Sequence, residues 1–247
     1  MAYFYRDGKL KVGTQDVFAD VATLAVAEGR PTYVYDLGDI EMRYQAYAAA
    51  LSQLNSSIHY AMKANSHPLL LKKLASWGAG VDTVSAGEVK RAIEAGFDPM
   101  KIIFSGVAKT KKEIEYAIDQ GIKQINVESP AELKRIVEIA RKLGKKTNVA
   151  FRMNPDVDPK THPYITTGFR ENKFGMDESF LPELISTLKE STDAVQLRGL
   201  TMHIGSLLFD LKVMQEALEK TLVVHETLEK AGFVLDRFDI GGGLGIR

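Results

Sequence analysis

Residues 57–97, SIHYAMKANSHPLLLKKLASWGAGVDTVSAGEVKRAIEAGF, contain the unit from which the rest of the chain is built. SIHYAMKA (57–64) and GVDTVS (80–85) are short runs with the β-branched and aromatic bias of strands. AGEVKRAIEAGF (86–97) spaces its apolar residues three and four apart and closes on glycine, as an amphipathic helix with a glycine C-cap does. LLLKKLAS (69–76) is the helical partner of the first strand. Strand, helix, strand, helix in this order predicts βα units and a mostly parallel sheet.

The same alternation extends in both directions. KIIFSG (101–106), QINVES (124–129), NVAFRMN (148–154), LRGLTMHI (197–204) and RFDIGG (237–242) read as further strands, and TYVYDL (32–37) as one more in front. TKKEIEYAIDQGI (110–122) and SPAELKRIVEIARKLG (129–144) read as helices between them. The early strands recur about every 22 to 24 residues, a spacing that predicts a (β/α) barrel. NPDVDPKTHPYITTGFRENKFGMD (154–177) is polar, turn-rich and long, and it follows a strand, so it is expected to overhang the barrel's C-terminal face as a lid from Asp156 to Phe174. Residues 1–31 read differently, with a strand pair around RDGKL and a helix, DVFADVATLAVAEG, ending at Gly29.

Composition narrows the function. The 32 basic residues balance 32 acidic ones, so no net field favours nucleic acid or an anionic membrane. The chain has no cysteine, which removes thiolate chemistry and sulfur-ligated metals. Its five histidines are scattered without HxH or HxxxH spacing, which disfavours a metal site. No Gly-x-Ser-x-Gly elbow is present. Neither a signal peptide nor an apolar run of about 20 residues is visible, so a cytoplasmic location without membrane contact is expected.

Several residues fall at the ends of predicted strands. Lys63 closes an apolar strand, where partial desolvation would lower an amine's pKa and make it nucleophilic toward an aldehyde; taken alone, it is more simply a lysine snorkelling out of a strand end. Gly241, Gly242 and Gly243 follow a strand directly, where backbone N–H groups can cradle a phosphate, although glycine clusters are commonly plain turns. His203, with Gly205 and Ser206 just behind, and Asp82, Glu88 and Arg152 lie on or just after strands of the same series, where each alone reads as a core histidine or an ion-pair residue. Together they would converge on one barrel mouth, and a lysine facing a phosphate cradle implies pyridoxal 5'-phosphate.

At this point YAMKANSHP, VDTVSAGEVKRAIEAGF, IIFSGVAKT, INVESPAEL, RMNPDVDPKTHPYITTGFRENKFGM, MHIGS and DIGGGLGI are similar to motifs of the fold-type III pyridoxal-phosphate decarboxylases, in the diaminopimelate branch. The resemblance implies that Lys63 holds the cofactor as a Schiff base and that His203 stacks on its ring. Ser206 and Gly241 to Gly243 then contact the phosphate, Asp82 and Arg152 set the lysine's environment, and Glu88 supports them. It further implies decarboxylation of meso-diaminopimelate to L-lysine by a homodimer. Leu207 stands where the family usually has glutamine. In the family TYVYDL joins a separate β-domain, which leaves seven barrel strands here. The expectation is an α/β fold, a TIM-type (β/α)8 barrel without its last strand over residues 32–247, with residues 1–31 associated with the β-domain. The last strand and the carboxylate that pairs with the pyridinium nitrogen are expected beyond Arg247. A stand-alone pyridoxal-phosphate barrel and an inactive regulatory partner remain alternatives.

Overall fold

The computed structural model describes residues 3–13, 15–16, 18–158 and 174–246. The chain opens with β1 (Tyr3–Arg6) and β2 (Lys9–Val12), an antiparallel hairpin turned by Asp7 and Gly8, both at positive φ as a two-residue primed turn requires. β3 (Gln15–Asp16) completes this small sheet and α1 (Phe18–Glu28) follows, ending at Gly29 with φ 62°.

TYVYDL makes no ladder among the described residues: residues 32–36 have no regular secondary structure, Leu37 begins a helix, and Tyr33 is 85% and Tyr35 52% exposed. Its recorded tie is the Tyr3 hydroxyl, which donates to the Val34 carbonyl at 2.6 Å. Composition signals a chain fit to pair, whereas a strand exists only where a neighbour offers its edge. Asp36 then caps α2 (Leu37–Ala50), accepting from the Gly38 and Asp39 amides.

From here strands and helices alternate: β4 (His59–Ala61), α3 (Pro68–Ser76), β5 (Gly80–Thr83), α4 (Ala86–Glu94), β6 (Ile102–Phe104), α5 (Lys111–Asp119), β7 (Gln124–Val127), α6 (Pro130–Leu143), β8 (Thr147–Met153), α7 (Leu181–Lys189), β9 (Val195–Met202), α8 (Leu211–Lys230) and β10 (Arg237–Asp239). Helix starts are written locally. Ser85 and Ser129 cap α4 and α6, Thr110 and Glu113 form a reciprocal capping box on α5, and Gly144 closes α6 at φ 61°.

β4 to β10 form one seven-stranded, all-parallel sheet in strict sequence order. It is strongly curled. Strands three places apart would stand about 14 Å apart in a flat sheet, yet the Lys123 ammonium lies 3.2 Å from His59 Nε2 and Arg237 Nη1 donates to Gln124 Oε1 at 3.1 Å. Seven strands curled in this way are a partial (β/α) barrel, as expected from the mapping that set TYVYDL aside.

The period of two sorts the strand residues between two faces. Ile102, Phe104, Ile125, Val127, Val149 and Phe151 are fully buried and join the core formed with the helices, alongside Leu71, Ile114, Leu133 and Leu184. The concave face instead carries Asp82, Gln124, Asn126, Arg152 and Arg237, whose polar groups meet one another inside the curl.

Candidate functional site

The mouth of the curl lies at the C-terminal ends of the strands. Lys63 sits in a single 3-10 turn, Met62–Ala64, directly after β4. Met62, fully buried, anchors that turn, while Lys63 is exposed and has no hydrogen bond or ion pair among the described residues. Asp82, on the adjacent β5, lies deep in the mouth yet remains reachable. Burial pushes its carboxyl up to about 6, the carboxylate of Asp239 adds to that, and a hydrogen bond from Ser105, together with the charges of Lys63 and Arg152, opposes it. Ser105 Oγ donates to Asp82 Oδ1 at 2.5 Å.

Arg152, near the end of β8, donates to Glu128 Oε1 at 2.8 Å and lies over the Phe174 ring at 4.9 Å. Glu128 also accepts from the amides of Gly106 and Gly175, so one carboxylate ties the ends of β6 and β8 to the last residues of the 154–177 segment. His203 follows β9. Burial, then the positive charges of Arg152 and Lys63, lower its pKa to about 4, so its imidazole is neutral at physiological pH. Its Nδ1 accepts weakly from the Gly242 amide at 3.4 Å.

Gly241, Gly242 and Gly243 form the turn after β10. A Cβ on Gly241 would lie 2.4 Å from the Met202 carbonyl oxygen, and one on Gly243 1.9 Å from that of Gly205. Both glycines, at φ 73° and 94°, are therefore required by the tight fit against the segment around His203. Around Gly242 a Cβ would meet nothing within 4 Å, so that residue's backbone faces open space beside exposed Ser206.

The structure thus gathers Lys63, Asp82, Arg152 and His203 in one electrostatic neighbourhood, with the glycine turn against His203. Glu88 is placed differently. It lies in the first turn of α4, where its carboxylate accepts from the Val84 amide at 2.8 Å, and among the described residues no hydrogen bond or ion pair links it to this cluster. Most of the expected lid, residues 159–173, lies outside the described residues.

Sequence reasoning missed Ser105, Asn126, Glu128, Glu132 and Asp239. Asp239 is half-buried, and the desolvation of its carboxyl raises its pKa; it accepts from the Gly241 amide at 2.7 Å and from Thr201. Lys109 and Glu132 form a buried ion pair at 3.0 Å, and the Lys109 ammonium also donates to the Gly106 and Asn126 carbonyls, which occupies all three of its protons. Of the two lysines at this mouth, Lys63 alone has a free amine among the described residues. A separate cavity of about 480 Å³ opens at the opposite end of the strands, lined in part by Tyr44, His59, Lys101 and Lys123, and contains none of these mouth residues.

The family model for the pyridoxal binding domain of pyridoxal-dependent decarboxylases matches residues 37–247. Diaminopimelate decarboxylase from Pseudomonas aeruginosa is 43% identical over 250 residues, covering 99% of this chain and 58% of the relative. The enzyme of the same name from Aquifex aeolicus is 44% identical, covering 98% and 56%. Among solved structures, Helicobacter pylori diaminopimelate decarboxylase complexed with L-lysine superposes with a TM-score of 0.84 at 41% identity, over 91% of this chain and 57% of that one. The chain spans a little over half the length of the relatives it matches. A free strand-end amine, a neutral imidazole and an open glycine turn fit an aromatic aldehyde that bears a phosphate, and the chain belongs to the pyridoxal-dependent decarboxylases, matching their pyridoxal binding domain.

Proposed function

We propose that this chain contributes the cofactor-bearing half of a diaminopimelate decarboxylase, which releases carbon dioxide from meso-2,6-diaminopimelate and yields L-lysine. The observation that carries the proposal is the convergence of Lys63, Asp82, Arg152 and His203 beside the Gly241–Gly243 turn, in a chain over 40% identical to enzymes of that name. The lysine bound in the Helicobacter structure supports an amino-acid ligand for this class of site. The proposal includes a cytoplasmic homodimer for the full-length protein, as the family resemblance implies.

Each side chain has a task its surroundings equip it for. Lys63, with no competing partner, is the amine that would hold the cofactor covalently. His203, kept neutral, would offer a flat ring face without adding a third cation beside Arg152 and Lys63. The backbone at Gly242 and the Ser206 hydroxyl would take the phosphate, which suits N–H groups in a turn of alternating handedness. Bound pyridoxal phosphate supplies the electron sink for the pair left behind when carbon dioxide departs. Arg152 is kept in place by Glu128 and Phe174, so its charge stays at the mouth. Asp82, half-ionised near pH 6, is the mouth residue best poised to hold or release a proton near neutrality.

Borohydride reduction of the loaded full-length protein followed by peptide mapping tests the assignment. A pyridoxyl group on Lys63 is expected. A label on Lys109, or none on either lysine, would remove the basis of the proposal.

A further inference from the structure

Within the concave face, five polar side chains run in single file from β10 across to β5. Arg237 Nη1 donates to Gln124 Oε1 at 3.1 Å, and Gln124 Nε2 donates to Asn126 Oδ1 at 2.9 Å. Asn126 Nδ2 then donates to Ser105 Oγ at 2.9 Å, and Ser105 Oγ to Asp82 Oδ1 at 2.5 Å. Strand register explains the alignment. Asp82 pairs with Ile103 and Ile103 with Gln124, so Ser105 and Asn126, each two residues further along, face the same way as Asp82 and Gln124. Gln124 and Asn126 are each 2% exposed, so water does not compete for these bonds.

The direction of the chain is set at its far end. A guanidinium has only donors, so Arg237 obliges Gln124 to turn its oxygen toward it and its NH2 toward Asn126. Each later amide must then follow, and Ser105, which accepts from Asn126, must spend its own hydrogen on Asp82. A proton on Asp82 Oδ1 would point hydrogen at hydrogen unless the Ser105 hydroxyl turned its own hydrogen away from Asp82, giving up that bond. Aligned hydrogen bonds in a low-dielectric interior also polarise one another, strengthening the last one.

We infer that Arg237, Gln124, Asn126 and Ser105 are positioning residues that act through one directional hydrogen-bond chain to fix Asp82 and keep its Oδ1 unprotonated beside Lys63. The remaining groups that act on Asp82 are Lys63 and Arg152, which favour the carboxylate, and Asp239, which opposes it. None of these belongs to the chain, so its contribution is separable from theirs. The importance of Asp82 to catalysis rests on the proposed function, but the effect of the chain on its protonation does not.

Carbon-13 NMR of full-length, cofactor-free protein with labelled aspartate tests the inference, with Asp82→Asn identifying the resonance. Ser105→Ala is expected to raise the Asp82 titration midpoint by about one pH unit, a tenfold change in proton affinity, and Ser105→Thr to restore it. Gln124→Met and Arg237→Gln, which touch neither Asp82 nor Ser105, are expected to shift it in the same direction by a smaller amount. If either fails to fold, Gln124→Glu cuts the same link, since it still accepts from Arg237 but has no hydrogen for Asn126. A midpoint unmoved by Ser105→Ala would overturn the inference, as would one that follows Ser105 but ignores every change at Gln124 and Arg237. In the loaded enzyme the acidic limb of kcat/KM should move with the midpoint. Shifts seen by NMR without any pyridoxyl label on Lys63 would reject the functional reading while leaving the chain's control of Asp82 in place.

Discussion

The two sides of the barrel mouth handle charge in opposite ways. On the β6–β8 side every charged group is matched: Lys109 with Glu132, Arg152 with Glu128, and spare carboxylate oxygens with backbone amides. On the β4–β5 and β9–β10 side, Lys63 has no partner among the described residues, Asp82 and Asp239 have raised pKa values, and His203 has a lowered one. The matched side is scaffold, held by interactions that leave nothing to react. The unmatched side keeps groups whose protonation can change, at a cost in stability, which is the usual signature of a site.

The largest effect should come from exchanging damage between the two sides. Lys109→Met leaves Glu132 buried without its cation, so thermal melting should reveal a loss of about 3–5 kcal/mol with the pyridoxyl label still on Lys63. Lys63→Ala should abolish the label yet change stability by less than about 0.5 kcal/mol, as an exposed substitution does. Reversed outcomes would erase the distinction between scaffold and site.

Next comes Asp82, where burial costs the protein stability. Its folded pKa, about 6, exceeds the unfolded value of about 3.9. The folded state therefore binds more protons between those values, and stability falls as pH rises from about 4 through 6. Asp82→Asn should remove this penalty, raising stability at pH 7.5 by about 2 kcal/mol while changing it little at pH 4. A gain independent of pH would mean that Asp82 is matched like its neighbours across the mouth.

The smallest effect is expected at Gly242. Alanine there meets open space, so stability should stay within about 0.5 kcal/mol, whereas pyridoxal phosphate binding, followed by its absorbance, should weaken. Gly243→Ala, pressed against the Gly205 carbonyl at positive φ, should destabilise the protein by more than about 1 kcal/mol. Equal behaviour of the two would show the turn to be structural only.

How far the sequence was readable follows the same division. The seven parallel strands and the helices between them were legible because strand ends, glycine stops and motif resemblance are local. TYVYDL was not, since pairing depends on a neighbour that its own residues do not specify. Ser105, Gln124 and Asn126 escaped notice for a subtler reason. QINV alternates polar and apolar as a half-solvated strand does, and alternation does not reveal whether the polar face meets water or the inside of a curl. Glu128 and Glu132 lie in a stretch that reads as a helix start, where acidic residues are expected in any case.

The unbroken order of the sheet, each strand beside its predecessor, also governs how the molecule comes into being. Every ladder closes over a short stretch of chain, so loop-closure entropy stays small at each step. During synthesis each new strand finds its docking edge already made. Lys63 is laid down with the first strand of this series and the glycine turn with the last. The Lys63 turn and the glycine turn therefore come together only after β10 has paired with β9.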